Sequence, residues 1–313
     1  MELAHNPRPR LTEWLVAHRA LATPLVLIDA GVQDGIGRRW EHFGGSLEVH
    51  GYDALPEAVA PLQALERPNH HYHVMALGNE DGEREFFVAS EPTASSFYRH
   101  AASLYDVDER VARTSEIRRV PIRRLDTLRA EGAFARADVI KIDCEGFEPE
   151  ILKGAQELMR TGILAVEVET NFNTSPVLPK SHFSAVCDEI MPHGLTVFDL
   201  VFDRVPRASF AERARSLGIK HPATSARPAT VNVLFCRDGS VQSADDLLKR
   251  AAILEAYELA DTAYDLLVAG ARLLPKGFPL LDVADLLIDG GETPTRRSGL
   301  ARRVLRRLLR LLS

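Results

Sequence analysis

Residues 25–28, Leu-Val-Leu-Ile, are apolar without a break and run straight into Asp29 and a glycine-rich stretch, 31-GVQDGIG-37. A wholly apolar run is what a strand buried on both faces requires, and such strands belong to parallel sheets covered by helices on either side. The glycines allow a tight turn at the strand's end and a close backbone approach to a bulky ligand. A helix is predicted after the turn, its N-terminus facing that ligand. Further strands are predicted at 47–53, 71–77, 138–143, 163–169, 194–202 and 230–236, with helices at 56–66, 147–160 and 181–191. Strands alternating with helices specify an α/β fold, a Rossmann-like doubly wound and mostly parallel sheet. No long helix separates the last two strands, which predicts an antiparallel edge. The rhythm breaks at 78–98, where Asp81-Gly82 predicts a hairpin turn, and a short strand is expected at 117–122.

The ends of the chain read differently. Residues 11–21 predict a short amphipathic helix, and from about 243 the pattern is helical only, opened by Ser243 as an N-cap. The predicted organisation is a domain over 1–240, with its core at 25–236, and a helical C-terminal appendage over 241–313. In 299-GLARRVLRRLLRLL-312, Ala301, Val304, Leu305, Leu308, Leu311 and Leu312 line one side of a helix, opposite Arg302, Arg303, Arg306 and Arg310. That pattern suits peripheral contact with an anionic membrane, or docking on the chain's own domain.

Composition excludes several classes. The net charge of -6 argues against a nucleic-acid binder, which needs clustered cations. Cys144, Cys187 and Cys236 form no CxxC pair, so neither a disulfide framework nor a zinc ribbon is expected, and a reducing cytoplasm fits. The N-terminus lacks the apolar stretch of a signal peptide, and no apolar run approaches the roughly 20 residues of a membrane span.

Asp53 ends the second predicted strand, where dinucleotide folds place an acid on a ribose hydroxyl. NAD and S-adenosylmethionine (SAM) both carry that ribose. Asp29 separates them: a carboxylate there faces a pyrophosphate unfavourably but suits a sulfonium and an ammonium. A short-chain dehydrogenase is excluded because no tyrosine has Lys four positions later. The densest signal is 138-DVIKIDCEGFEPEILKGA-155. Lys141, Asp143 and Glu145 alternate onto one face of the strand, with the two acids at its carboxyl end. Lys141 either keeps Asp143 ionised and aimed, or is a structural ion pair.

Together these segments resemble the FkbM-type methyltransferase family, SAM-dependent enzymes that commonly O-methylate sugars, polyketides and related natural products. The resemblance spans about residues 25–236. It rests on the Asp29-x-Gly31-x-x-x-Gly35 turn, on Asp53, on Val120-Pro121 through Leu125-Asp126-Thr127-Leu128, and above all on Lys141 through Ala155, followed by Ala165-Val-Glu167-Val-Glu169. Gln33 stands where the family usually has Asn, and Asp53-Ala54 replaces its Glu-Pro. The resemblance implies a class I methyltransferase fold with Asp29, Gly31, Gln33, Gly35, Asp53 and Ala76 around SAM. It places Asp143, Glu145 and Lys141 at the reacting end, with Ser95, Ser96 and Glu167 toward the acceptor. Asp143 or Glu145 is the expected base. No metal is assigned; the minor alternative is Mg²⁺ on Asp143, Glu145 and Glu167. His71 and His73 share a strand face but show no third ligand in the sequence. The arginine-bearing connection 203–229 is expected to form a lid for an anionic acceptor. The expected partner is a small-molecule or glycan acceptor, and the rival reading is a catalytically silent, membrane-attached scaffold.

Overall fold

Strand β1 (Leu25–Ala30) is buried at every position, as its composition demands, and lies near the middle of a seven-stranded sheet. The structure is a computed structural model that describes residues 3, 4, 6–99, 113–172, 182–205, 208–219, 226–239 and 241–288. Its other strands are β2 (Leu47–Asp53), β3 (His70–Val74), β4 (Ala76–Leu77), β5 (Gly82–Ala89), β6 (Thr114–Arg123), β7 (Val139–Ile142), β8 (Ala165–Asn171), β9 (Leu195–Val205) and β10 (Arg227–Arg237). The large sheet runs β3-β2-β1-β7-β8-β10-β9. β2 and β3 pair in parallel, as do β1 with β7 and β7 with β8, whereas β10 is antiparallel to both β8 and β9. The mostly parallel sheet with its antiparallel edge is the arrangement expected from the sequence.

Three local expectations are corrected. The predicted hairpin at Asp81-Gly82 does not form. β6 lies between β4 and β5 in a separate three-stranded sheet, and the Asp81 carboxylate accepts hydrogen bonds from Arg124 N and the Thr127 hydroxyl. The predicted helix 147–160 is two helices, Glu148–Lys153 and Gln156–Thr161. They part at Gly154, where a Cβ would stand 1.9 Å from the Gly78 carbonyl oxygen. Asp126 caps the second helix from a distance, accepting from Glu157 N and Leu158 N at 3.0 Å each. The turn after β1 leads into a 3₁₀ segment, Arg38–Ser46, in place of an α-helix.

The chain divides into two compact units. The larger holds residues 26–36 and 48–238; the other is assembled from 4–25, 37–47 and the stretch from 239 onward. In this second unit the helix Arg10–Ala17 has Pro9 before it and no side-chain cap of its own. Glu255, on the helix Ala244–Ala256 and only 2% exposed, supplies one: its carboxylate accepts from Leu11 N, Thr12 N and the Thr12 hydroxyl, each at 2.8 Å. Ser243 caps the helix that carries Glu255, accepting from Asp246 N at 3.1 Å. No helix among the described residues is long and apolar enough to cross a membrane. The basic stretch 299–312 lies outside the described residues.

Glu255→Ala leaves two backbone N–H groups and a hydroxyl buried without their acceptor. A lost cap and unsatisfied buried donors together should lower unfolding stability by about 2–4 kcal/mol. Urea denaturation checks this, and a loss below 1 kcal/mol by the same principle would show the cap to be dispensable.

Candidate functional site

The strand register gathers the charged residues of the first unit. Asp29 on β1 pairs with Lys141 on β7, which pairs with Glu167 on β8, so the three lie in one row across adjacent strands. The Lys141 ammonium is 3.4 Å from an Asp29 oxygen and 3.8 Å from an Asp143 oxygen. Burial alone would lower the lysine's pKa, but Asp29, Asp143 and Glu167 together raise it, so it stays charged. Asp29 is 3% exposed, and burial lifts its carboxyl to about 6 against the pull of Lys141.

Backbone contacts fix the loops above this row. Gly31 N donates to the Tyr52 carbonyl at 2.9 Å, joining the turn after β1 to β2. Gly31 has a φ of +83°, and a Cβ there would stand 2.1 Å from the Asp143 carbonyl oxygen, so only glycine lets the two loops meet. After β7 the chain passes through two left-handed residues, Glu145 (φ 51°) and Gly146 (φ 100°). A non-glycine residue in that region costs on the order of 1–3 kcal/mol and persists only when its surroundings impose it. The buried Glu148 carboxylate accepts from Cys144 N at 3.1 Å and Gly146 N at 3.0 Å, and the Ser96 hydroxyl donates to the Glu145 carbonyl at 2.8 Å.

These loops enclose a cavity at the carboxyl ends of the central strands. Its walls include Ala30, Gly31, Gln33, Tyr52, Asp53, Ala76, Ser95, Phe97, Asp143, Cys144, Glu145 and Glu169. With Asp34 the lining carries five carboxylates and no lysine, arginine or histidine. That balance repels a pyrophosphate and attracts a cation. Glu145 is open to solvent, yet it lies against the wall beside other acids. Lost hydration first, then Asp143, Glu169 and Glu148, push its carboxyl up to about 8. Burial and the hydrogen-bonded neighbour Asp143 push Glu169 up to about 7. Burial also raises Asp53, against the hydrogen bond its carboxylate accepts from Leu55 N at 2.8 Å. The Cys144 thiol is raised by burial and then by Glu148, which disfavours a thiolate nucleophile here.

Of the residues singled out in the sequence, Gly31, Gln33, Asp53, Ala76, Ser95, Asp143 and Glu145 line the cavity. Asp29, Lys141, Gly35, Ser96 and Glu167 do not. Asp29, Lys141 and Glu167 form the charged row below it, and Ser96 spends its hydroxyl on the Glu145 backbone. Glu169 completes the acid cluster and was not among the expected site residues; its signal is its position two residues beyond Glu167 on the same strand face. No described residue of the arginine-bearing connection lines the cavity; Arg207 and Lys220 lie outside the described residues.

The sequence profile of the Methyltransferase FkbM domain matches residues 29–189, just over half of the chain. The chain belongs to the FkbM methyltransferase family. The matched stretch holds the end of β1, all of β2, β7 and β8, and every residue of the cavity lining. The sheet is accordingly that of a Rossmann-like class I methyltransferase. A solved FkbM methyltransferase from Methylobacillus flagellatus KT aligns over 67% of this chain at 13% identity and a TM-score of 0.37, and this chain spans 43% of that protein. A Burkholderia thailandensis 1,6-didemethyltoxoflavin-N1-methyltransferase, solved with bound 1,6-didemethyltoxoflavin and S-adenosylhomocysteine, aligns over 74% of this chain and 79% of its own, at 13% identity and a TM-score of 0.31. Precorrin-6y C5,15-methyltransferase from Geobacter metallireducens GS-15 aligns over 76% and 94%, at 10% identity and a TM-score of 0.34. No curated protein matches the chain by sequence.

The raised carboxyl of Glu145 has a consequence for stability. Its folded pKa lies above the ordinary value of 4.5, so the folded protein holds a proton that the unfolded chain has released. Stability therefore falls as pH rises from about 4.5 to about 8, the window between those two values. In Glu145→Gln that penalty is gone. The melting temperature of the variant should gain on the wild type across this window in scanning calorimetry; a difference that stays flat from pH 5 to 8 contradicts the raised carboxyl.

Proposed function

We propose that the chain is a SAM-dependent methyltransferase acting on a hydroxyl of a sugar, glycan or related natural product. The observation that supports this reading is the cavity lined by five carboxylates and no cation, at the carboxyl ends of the central strands. Such a lining suits a ligand that carries a sulfonium and an ammonium. The Tyr52 hydroxyl fits the same ligand: it is buried in the cavity wall and has no hydrogen-bond partner among the described residues. Asp53, beside it at the end of β2, suits the ribose hydroxyls, and the turn at Gly31 and Gln33 offers backbone groups to the amino-acid end. When bound, SAM supplies an electrophilic methyl group.

The remaining chemistry falls to the chain's own acids. An attacking hydroxyl loses a proton as its oxygen forms the new bond, and a placed base accelerates that by about 10²–10⁴-fold. Asp143 is our choice for the base. It follows β7 directly, lines the cavity, and is held by the Lys141 ammonium at 3.8 Å. Glu145 and Glu169, whose carboxyls titrate near neutrality, take hydrogen bonds from the acceptor and pass the proton outward. The activity they serve should therefore rise with pH through about 7 to 8 as these groups ionise.

Thermal unfolding with SAM, S-adenosylhomocysteine and NADH added separately tests the cofactor. A ligand at 100 times its dissociation constant stabilises the fold by about 2.7 kcal/mol. SAM and S-adenosylhomocysteine should each produce such a shift, and NADH none. A shift with NADH alone contradicts the proposal. Asp143→Asn should retain the SAM shift while transfer of labelled methyl to a hydroxyl acceptor falls at least about 100-fold; undiminished transfer removes Asp143 from the role.

A further inference from the structure

A second cluster of chemically able side chains sits on the other end of β2, away from the cavity. The register of β2 and β3 sets His50 opposite His71, and Glu48 lies two residues before His50 on the same face. An oxygen of Glu48 is 2.9 Å from His50 Nε2. One ligand atom from each of Glu48, His50 and His71 lies within 4.8 Å of the other two. We propose that these three residues bind a transition-metal ion of the zinc(II) class at the edge of the large sheet.

The geometry supports this in three ways. His50 is 3% exposed, and its ring stacks on His71 at 4.9 Å and packs on Phe134 at 5.4 Å, so one ligand is fixed in place. Its Nδ1 has no hydrogen-bond partner among the described residues, which leaves Glu48 as the polar neighbour that orients the ring. The other two ligands have room to adjust, Glu48 being half-buried and His71 exposed. Zinc–nitrogen and zinc–oxygen bonds of about 2.0–2.2 Å place tetrahedral ligand atoms roughly 3.3–3.5 Å apart, so closing from 4.8 Å takes a modest side-chain rotation. Two imidazoles and one carboxylate suit zinc, whereas magnesium and calcium prefer all-oxygen sets. Three protein ligands leave a fourth position for water.

None of Glu48, His50 and His71 lines the cavity, and His50 lies two residues from Tyr52 in its wall, about 7 Å at the rise of an extended chain. The ion joins edge strand β3 to β2 near the start of both strands. Its role is to pin that edge, and β2 in turn carries Tyr52 and Asp53 into the cavity wall.

The test uses the full-length protein freed of metal, titrated with zinc chloride and analysed by equilibrium dialysis with elemental analysis. The chain has 11 histidines, so the variants decide the site rather than the stoichiometry. Wild type should retain one zinc per chain and melt at a higher temperature with zinc than without. His71→Ala and Glu48→Gln alter accessible side chains, and circular dichroism verifies their folding. Each should weaken zinc binding at least about tenfold, the least that loss of even an outer partner costs, and abolish the zinc-dependent rise in melting temperature. His18→Ala should bind zinc as the wild type does. Failure of the wild type to retain zinc overturns the proposal, and so does wild-type affinity in both His71→Ala and Glu48→Gln. SAM binding is measured on the same samples, so loss of this site and failure of the methyltransferase reading are separately visible.

Discussion

The ammonium of Lys141 stands between the carboxylates of Asp29 and Asp143, with Glu167 next in the row, and the ends of three adjacent strands depend on that charge. Without it, acids on neighbouring strands would face one another in a partly dry environment, and proton uptake or displacement of the loops would relieve the repulsion. With it, Asp29 is anchored at the foot of the Gly31 turn and Asp143 is directed into the cavity. The backbone depends on the same alignment. Gly31 can lie against the Asp143 carbonyl only because β1 and β7 are in the register that pairs Asp29 with Lys141. The charge row and the tight turn thus specify one geometry through two independent forces.

That geometry also decides what kind of ligand belongs in the cavity. The familiar nucleotide site of doubly wound sheets offers a helix N-terminus to a pyrophosphate. Here the cavity wall carries five carboxylates and no lysine, arginine or histidine among apolar and small residues. That charge suits a cationic ligand. The acids differ in character despite their proximity: Asp143 is held by a lysine, whereas Glu145 and Glu169 are raised toward neutrality by lost hydration and then by the charge of Asp143. A site with one directed carboxylate and two raised to about 7 and about 8 can both accept and relay a proton.

Much of this was legible in the sequence because it is carried by local pattern. The apolar run at 25–28 fixes β1, and the βα alternation fixes the sheet. The segment from Lys141 to Ala155 carries both the ion-pair lysine and the acids at the strand's end. What escaped depends on contacts between distant segments. The split at Gly154 exists because Gly78 comes within 1.9 Å of its missing side chain. The hairpin at Asp81-Gly82 was displaced because β6, some thirty residues later, pairs more extensively with β5. Glu169 enters the cavity through the order of β7 and β8. The partners of His71 in the proposed metal site, Glu48 and His50, come from β2 through a register that no spacing along the chain reveals. The arginine-bearing connection was expected over the site from its charge and its position between the last two strands, and none of its described residues lines the cavity.

The coupling between Asp29 and Lys141 is the most direct measure of this account. A double-mutant cycle with Asp29→Asn, Lys141→Met and the pair, each followed by chemical denaturation, isolates that one interaction. A central ion pair predicts that each single change is strongly destabilising, because it leaves an uncompensated charge, and that the double variant recovers part of the loss. The coupling free energy should then fall within about 1–3 kcal/mol. If the two losses simply add, the row of charges is not what joins β1 to β7, and the organisation of the site must come from the backbone contacts alone.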